Sequence, residues 1–169
     1  MRKLSLLLCF VLLIQMLYGC ASKKEELQQP VTFYYANKAI SYNTPDAVIG
    51  NEIREGASFH TLEDLLHVYL NGPLSSELLS MIPKGVALQS CVVEGNIAHI
   101  YLNTQFAELS GIKLTTVCSG ILLTVNEYTG IQTVAIRAEN AKLDDKEVFL
   151  LSIDDIVLMD AVTQKEAKE

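Results

Sequence analysis

Few side chains in this chain are of types that do chemistry, and their spacing argues against a catalytic centre. The three histidines are His60, His67 and His99. A helix through His60 and His67 would set them two turns apart on one face. Metal-binding pairs on helices stand four residues apart, and no cysteine or carboxylate is spaced to complete a tetrahedral set. Asp144-Asp145 and Asp154-Asp155 pair acids, but neighbours along a strand point to opposite faces. They read as loop and surface charge. No Gly-x-Ser-x-Gly, no cysteine beside a plausible base and no glycine-rich phosphate loop is present. The sequence therefore predicts a non-enzyme, with no catalytic residue, no metal ligand and no cofactor site.

Cys20 is the exception. Arg2 and Lys3 make a positive start, Leu4 to Leu13 is an almost unbroken apolar run, and Leu17-Tyr18-Gly19-Cys20 follows. This pattern resembles a bacterial lipobox, in which the cysteine thiol takes a diacylglyceryl group and cleavage falls just before it. Residues 1–19 would then leave as a signal peptide. Cys20 would become the lipidation site, holding the protein to the outer face of the cytoplasmic membrane. One acyl chain binds a membrane only marginally, whereas two anchor stably, at about 0.8 kcal/mol per buried methylene. An ordinary signal peptide cut elsewhere, or an uncleaved anchor, is the alternative. Cys9 lies within the leader. Cys91 and Cys118 sit in apolar patterns and read as buried free thiols, with a disulfide between them left open outside the cytoplasm.

A chain of 169 residues has room for one ordinary domain. Its net charge of −7 becomes −9 once Arg2 and Lys3 are removed. Phosphate backbones require clustered Lys and Arg, so nucleic acid is disfavoured as a partner. Three histidines and no tryptophan give catalysis and sugar stacking little material.

The elements that must position these residues follow from local pattern. Residues 20–30 are rich in Lys, Glu and Gln and read as a lipidated tether. Val31 to Ala36 is β-branched and aromatic, a strand. Ala39 to Tyr42 and Ala47 to Arg54 read as further strands around Asn43-Thr44-Pro45-Asp46. Thr61 is placed as a helix N-cap with Glu63 and Asp64 in the first turn. Leu62, Leu65, Leu66, Tyr69 and Leu70 make its apolar stripe, and Gly72-Pro73 stops it. Ser75 to Met81 reads as a short helical turn.

Val86 to Val93 and Ile97 to Leu102 form a hairpin across Glu94-Gly95-Asn96. Ala98, Ile100 and Leu102 are placed on its core face with Cys91 and Val93, and His99 and Tyr101 on a mixed face. Phe106 and Leu109 anchor a loop. Lys113 to Tyr128 is apolar around most of its circumference and reads as a buried helix ended by Gly130. Ile131 to Ala138 and Lys146 to Ile153 read as strands. The expected fold is α/β of the α+β type, a small mixed sheet with two main helices packed on one face. One domain spans 31–160, with a charged tail over 161–169.

Several of these stretches resemble a known family. Leu65-Leu66, Leu70-Asn71-Gly72-Pro73 and Ile82-Pro83-Lys84-Gly85 are similar to the GerMN domain of sporulation and germination lipoproteins. So are Val31-Thr32-Phe33-Tyr34-Tyr35, the hairpin from Leu88 to Asn103 with Phe106, and Leu122 to Tyr128 followed by Gly130-Ile131-Gln132-Thr133-Val134. The similarity covers roughly Val31 to Leu143. Thr129 stands where the family pattern has proline, and the chain has length for one such domain where members often carry two.

The resemblance implies a membrane-proximal, extracytoplasmic role in sporulation or germination, and a fold like that of small ring-building domains. The function expected is a non-catalytic binding or assembly module on other extracytoplasmic or membrane proteins, through an exposed sheet edge and an apolar helix face. A small-ligand or cell-wall-glycan binding lipoprotein is the alternative, and would show a concave pocket.

Membrane attachment through the Cys20 thiol is directly testable. Cys20→Ser should abolish metabolic palmitate labelling and release or misprocess the protein; undiminished labelling would exclude Cys20 as the lipid site.

Overall fold

The computed structural model describes residues 30–38, 48–55 and 59–156. The leader, Cys20, most of the tether, the strand expected at Ala39 to Tyr42, the turn after it and the charged tail lie outside the described residues. Within them run β1 (Val31–Asn37), β2 (Ile49–Arg54), α1 (Leu62–Leu70), β3 (Leu78–Leu79), β4 (Leu88–Glu94), β5 (Ile97–Leu102), α2 (Gly111–Thr129), β6 (Thr133–Ala138) and β7 (Phe149–Ser152). Two helices and mixed strands make the α+β fold expected.

The strands divide between two sheets, in the orders β2-β1-β3 and β4-β5-β6-β7. Pairing is antiparallel except for β5 with β6, which is parallel, the helix α2 forming the crossover between them. The division has a local cause. β1 pairs with β2 along one edge, and on the other with β3 only at Ala36 and Asn37. Tyr34 on that edge instead donates its N–H to the hydroxyl of Thr124 in α2, at 3.0 Å, and Thr124 in turn donates to the Gly120 carbonyl at 2.8 Å. With the helix on this edge, pairing there goes no further than the two residues of β3, and the second sheet starts anew at β4.

Gly120 makes this approach possible. A Cβ there would lie 2.5 Å from the Tyr34 carbonyl oxygen and closer still to the Tyr69 hydroxyl. Thr116, Gly120 and Thr124 recur every four residues and are buried or without a side chain. They form the groove in α2 that receives β1.

The core runs through both sheets. Phe33 and Tyr35 of β1 meet Leu65, Leu66 and Tyr69 of α1, and the Tyr35 and Tyr69 rings stack with centroids 4.7 Å apart. Ala98, Ile100, Leu102, Val134 and Ile136 line the inner face of the four-stranded sheet, all essentially inaccessible. Thr61 caps α1 in a capping box with Asp64, and Gly130 ends α2, as the sequence pattern predicts. Phe106 and Leu109 are buried. Cys91 and Val93 pair with Ile100 and Ala98 on the core side, though Val93, beside the strand end, remains 49% exposed. Ser75 to Met81 departs from the helical turn expected; it bends and contributes β3, because Leu78 and Leu79 pair with the end of β1.

Gly120→Ala tests the contact between helix and strand. In an ordinary helix interior this change gains about 1 kcal/mol. Here it should cost about 1–3 kcal/mol by overpacking against Tyr34, measured by urea denaturation. A variant as stable as the wild type would mean that β1 and α2 do not touch at Gly120.

Candidate functional site

The side chains with chemical potential do not converge. His60 precedes the N-cap of α1, His67 lies exposed on that helix, and His99 is on β5. Because His60 is not helical, it cannot share the helix face expected with His67. Among the described residues no three His, Cys, Asp or Glu side chains could hold a metal ion.

The paired acids lie exposed in turns, as read from sequence, and one of each pair also bonds the backbone. Asp144 and Asp145 both take positive φ, 46° and 64°, in a tight turn closed by reciprocal backbone hydrogen bonds between Leu143 and Lys146. From there the Asp144 carboxylate accepts the Gly111 N–H at 3.0 Å, at the start of α2, where Ser110 makes no side-chain cap. Asp155 accepts the Ser152 N–H at 2.9 Å. Both acids satisfy backbone donors.

Cys91 and Cys118 are free. Burial, with Glu63 nearby, raises the Cys91 thiol to about 11. Burial raises Cys118 further, with Asp144 adding to it. Neither supplies a thiolate at neutral pH, the condition for nucleophilic reactivity.

A polar cluster for which the sequence gave no role joins β2 to the end of α1. Arg54 and Glu52 are ion-paired, Nε to Oε1 at 2.8 Å, each side chain only 10% exposed. Glu52 also accepts the N–H groups of Leu74 and Ser75, at 3.0 and 2.8 Å, while Arg54 donates to the Gly72 carbonyl at 2.8 Å. The Arg54 guanidinium lies 4.3 Å over the Phe33 ring. This cluster fastens the Gly72-Pro73 turn to the sheet, with Gly72 at φ 87°. Burial works to raise the Glu52 carboxyl, but hydrogen bonds from Ser75, Leu74 and Arg54, with the Arg54 charge, outweigh it and hold the group below its ordinary range. The available signal was the i, i+2 spacing of Glu52 and Arg54, which puts both on one strand face. Beside the cluster, Tyr35, Tyr69, Met81, Ile82 and Val117 line a cavity of about 10 Å³. That is room for a water molecule and no organic ligand.

The outer face of the four-stranded sheet is different. Residues directly paired across strands share a face, so Val92, His99, Ala135 and Leu150 form one row, and Ser90, Tyr101 and Arg137 the next. Val92 is 47% exposed, Tyr101 37% and Leu150 63%. Arg137 Nη1 donates to the Tyr101 hydroxyl at 3.1 Å and lies 3.4 Å from His99 Nδ1. Its guanidinium carbon is 5.3 Å from the Tyr101 ring centre. The mixed face anticipated for β5 is thus one strip of an apolar surface with a cation at its middle. The helix faces that sequence suggested for contacts are turned inward: Leu65, Leu66 and most of α2 lie in the core.

The comparisons with known proteins agree with this fold. A model of the Germane family, described as "Sporulation and spore germination", matches residues 32–144. The first GerMN domain of the sporulation protein GerM from Bacillus subtilis aligns with 75% of this chain and 99% of its own, at 13% identity and a TM-score of 0.58. The tandem GerMN domains of the same protein align with 79% of this chain and 49% of theirs, at 16% identity and a TM-score of 0.55. The chain thus spans about half of the tandem protein, and at these identities the likeness is one of fold. None of the curated proteins compared matches the chain.

Glu52→Gln should lower stability by about 2–4 kcal/mol at pH 7, since Arg54 is left without its counter-charge. A depressed carboxyl stabilises the fold above its unfolded pKa, about 4.3, and loses that contribution as pH falls through the folded value. The gap between wild type and variant in urea should therefore narrow from pH 7 to pH 3. A gap independent of pH would mean that the Glu52 charge plays no part.

Proposed function

From the premise that this chain belongs to the Germane family of sporulation and spore germination, we propose that it is a lipoprotein, anchored through Cys20 on the outer face of the cytoplasmic membrane, whose domain binds other proteins without catalysing a reaction. Residues 20–30 serve as the tether that lifts the domain from the lipid, and the work is done in sporulation or germination.

One observation carries the binding reading: no helix or strand among the described residues covers the outer face of the four-stranded sheet, which presents Val92, Tyr101 and Leu150 to solvent. A sheet normally buries its apolar face, so a patch left open is a contact surface. The lipid anchor is supported by the leader and by Cys20 after Leu17-Tyr18-Gly19. The ligand-binding alternative draws no support from the cavity at Tyr35 and Tyr69, which is water-sized, and the chain has no tryptophan to stack on a sugar.

The reading is tested by complementation in a deletion strain of the organism. Val92→Glu with Leu150→Glu should abolish rescue of sporulation or germination, because charges on the patch must be desolvated on contact. His60→Gln with His67→Gln should rescue like wild type. Failure of the histidine variant while folded, membrane-bound and normally abundant would reopen a catalytic or metal role.

A further inference from the structure

The two arginines among the described residues are built into opposite settings. Arg54 is largely buried and ion-paired, with Glu52 as its counter-charge. Arg137 stands at the surface with no carboxylate within ion-pair distance among the described residues. Glu94 is directed to His99 Nε2, at 3.6 Å. This is notable in a chain carrying twenty acids against thirteen Lys and Arg.

The guanidinium is nevertheless held in place. The Tyr101 hydroxyl and His99 Nδ1 both engage Nη1, and the Tyr101 ring lies under the carbon. One nitrogen is thereby used, and the Nε and Nη2 edge is left with its donors. A planar guanidinium with a free edge matches a carboxylate, two donors to two acceptor oxygens. Tyr101 is its cross-strand partner, and Val92 and Leu150 lie exposed in the neighbouring row of the same face. Once a partner covers them, water is excluded and the ion pair strengthens.

We propose that the outer face of the four-stranded sheet docks a second, different protein through a carboxylate received by Arg137, with Val92, Tyr101 and Leu150 making apolar contact on the same face; a second copy would set one chain of net charge −7 against another. This rests on the binding-module reading and adds the chemistry of the partner. A lipid phosphate is the poorer match, because membrane surfaces are recognised by clusters of several Lys and Arg, and here a single cation stands in an acidic chain.

The test uses the full lipidated chain in its native membranes. A photo-crosslinking benzoylphenylalanine replaces Val92, alone and with Arg137→Glu. Separately, Arg137→Lys is treated with a water-soluble carbodiimide. The reagent activates a carboxylate as an O-acylisourea; the variant's amine attacks the acyl carbon and loses a proton, the urea leaves, and an amide remains. A guanidinium gives no such product. The expected result is an amide from position 137 to an Asp, Glu or terminal carboxylate of another protein, absent from wild type. Arg137→Glu should lower the photo-adduct about tenfold, with unchanged circular dichroism.

A photo-adduct indifferent to Arg137→Glu, with no amide, would leave the binding reading standing and overturn the carboxylate. An amide to a second copy of this chain would overturn the different partner. Binding of the full-length Cys20→Ser chain to phosphatidylglycerol vesicles that depends on Arg137 would overturn the carboxylate in favour of a lipid phosphate. No photo-adduct from folded, membrane-bound protein would sink the binding-module reading itself.

Discussion

The architecture depends on one close approach, that of β1 to α2. A strand edge left open in a small domain is an invitation to pair with another chain. Here the edge is closed by a helix, with the Thr124 hydroxyl taking the Tyr34 N–H and Gly120 clearing the space. The same approach brings Tyr69 of α1 over α2, its hydroxyl 3.5 Å from the Val117 carbonyl. β1 and the two helices therefore meet along the groove of Thr116, Gly120 and Thr124. Once α2 is fixed against β1, its other side is available to the inner face of β6 and β7, and among the described residues no element is left to cover the outer face of that sheet.

What was legible in the sequence was local. The cap at Thr61, the stop at Gly72-Pro73, the hairpin about Gly95-Asn96 and the apolar length of α2 each follow from residues within a few positions of one another, and the structure has them all. The division into two sheets was not legible, because it turns on a hydrogen bond between residues ninety positions apart. Gly120 could be seen only as an interruption of an apolar run. The candidate site was half legible. Alternation put His99 and Tyr101 on one face of β5, but Arg137 joins them through the parallel register that sets Tyr101 opposite Arg137. No periodicity along the chain reveals that pairing.

The acidic side chains repay closer reading for the same reason. Glu52, Glu63, Asp64, Asp144 and Asp155 each accept a backbone N–H, at a turn, a strand edge or a helix start. Glu63 reaches from α1 to the Cys91 N–H on β4, closing the second sheet where another chain could add. Thr129 does comparable service where the family pattern has proline: its hydroxyl donates to the Val125 carbonyl and accepts from Ile131. Acidity in this domain is thus partly a means of saturating main-chain donors that no strand or helix partner reaches.

The position of β1 bears also on mechanics. A protein held by lipid at one end and by a partner at the other would be a link under tension, and with the anchoring proposed above the pull would enter at Val31, the first residue of β1. That strand is gripped on both edges, by six paired residues of β2 on one and by α2 and the end of β3 on the other. It cannot peel away as a terminal edge strand would. Yielding requires the β2 ladder and the helix contact to break together, so resistance to force is set by the rate at which this junction opens rather than by the overall stability of the domain.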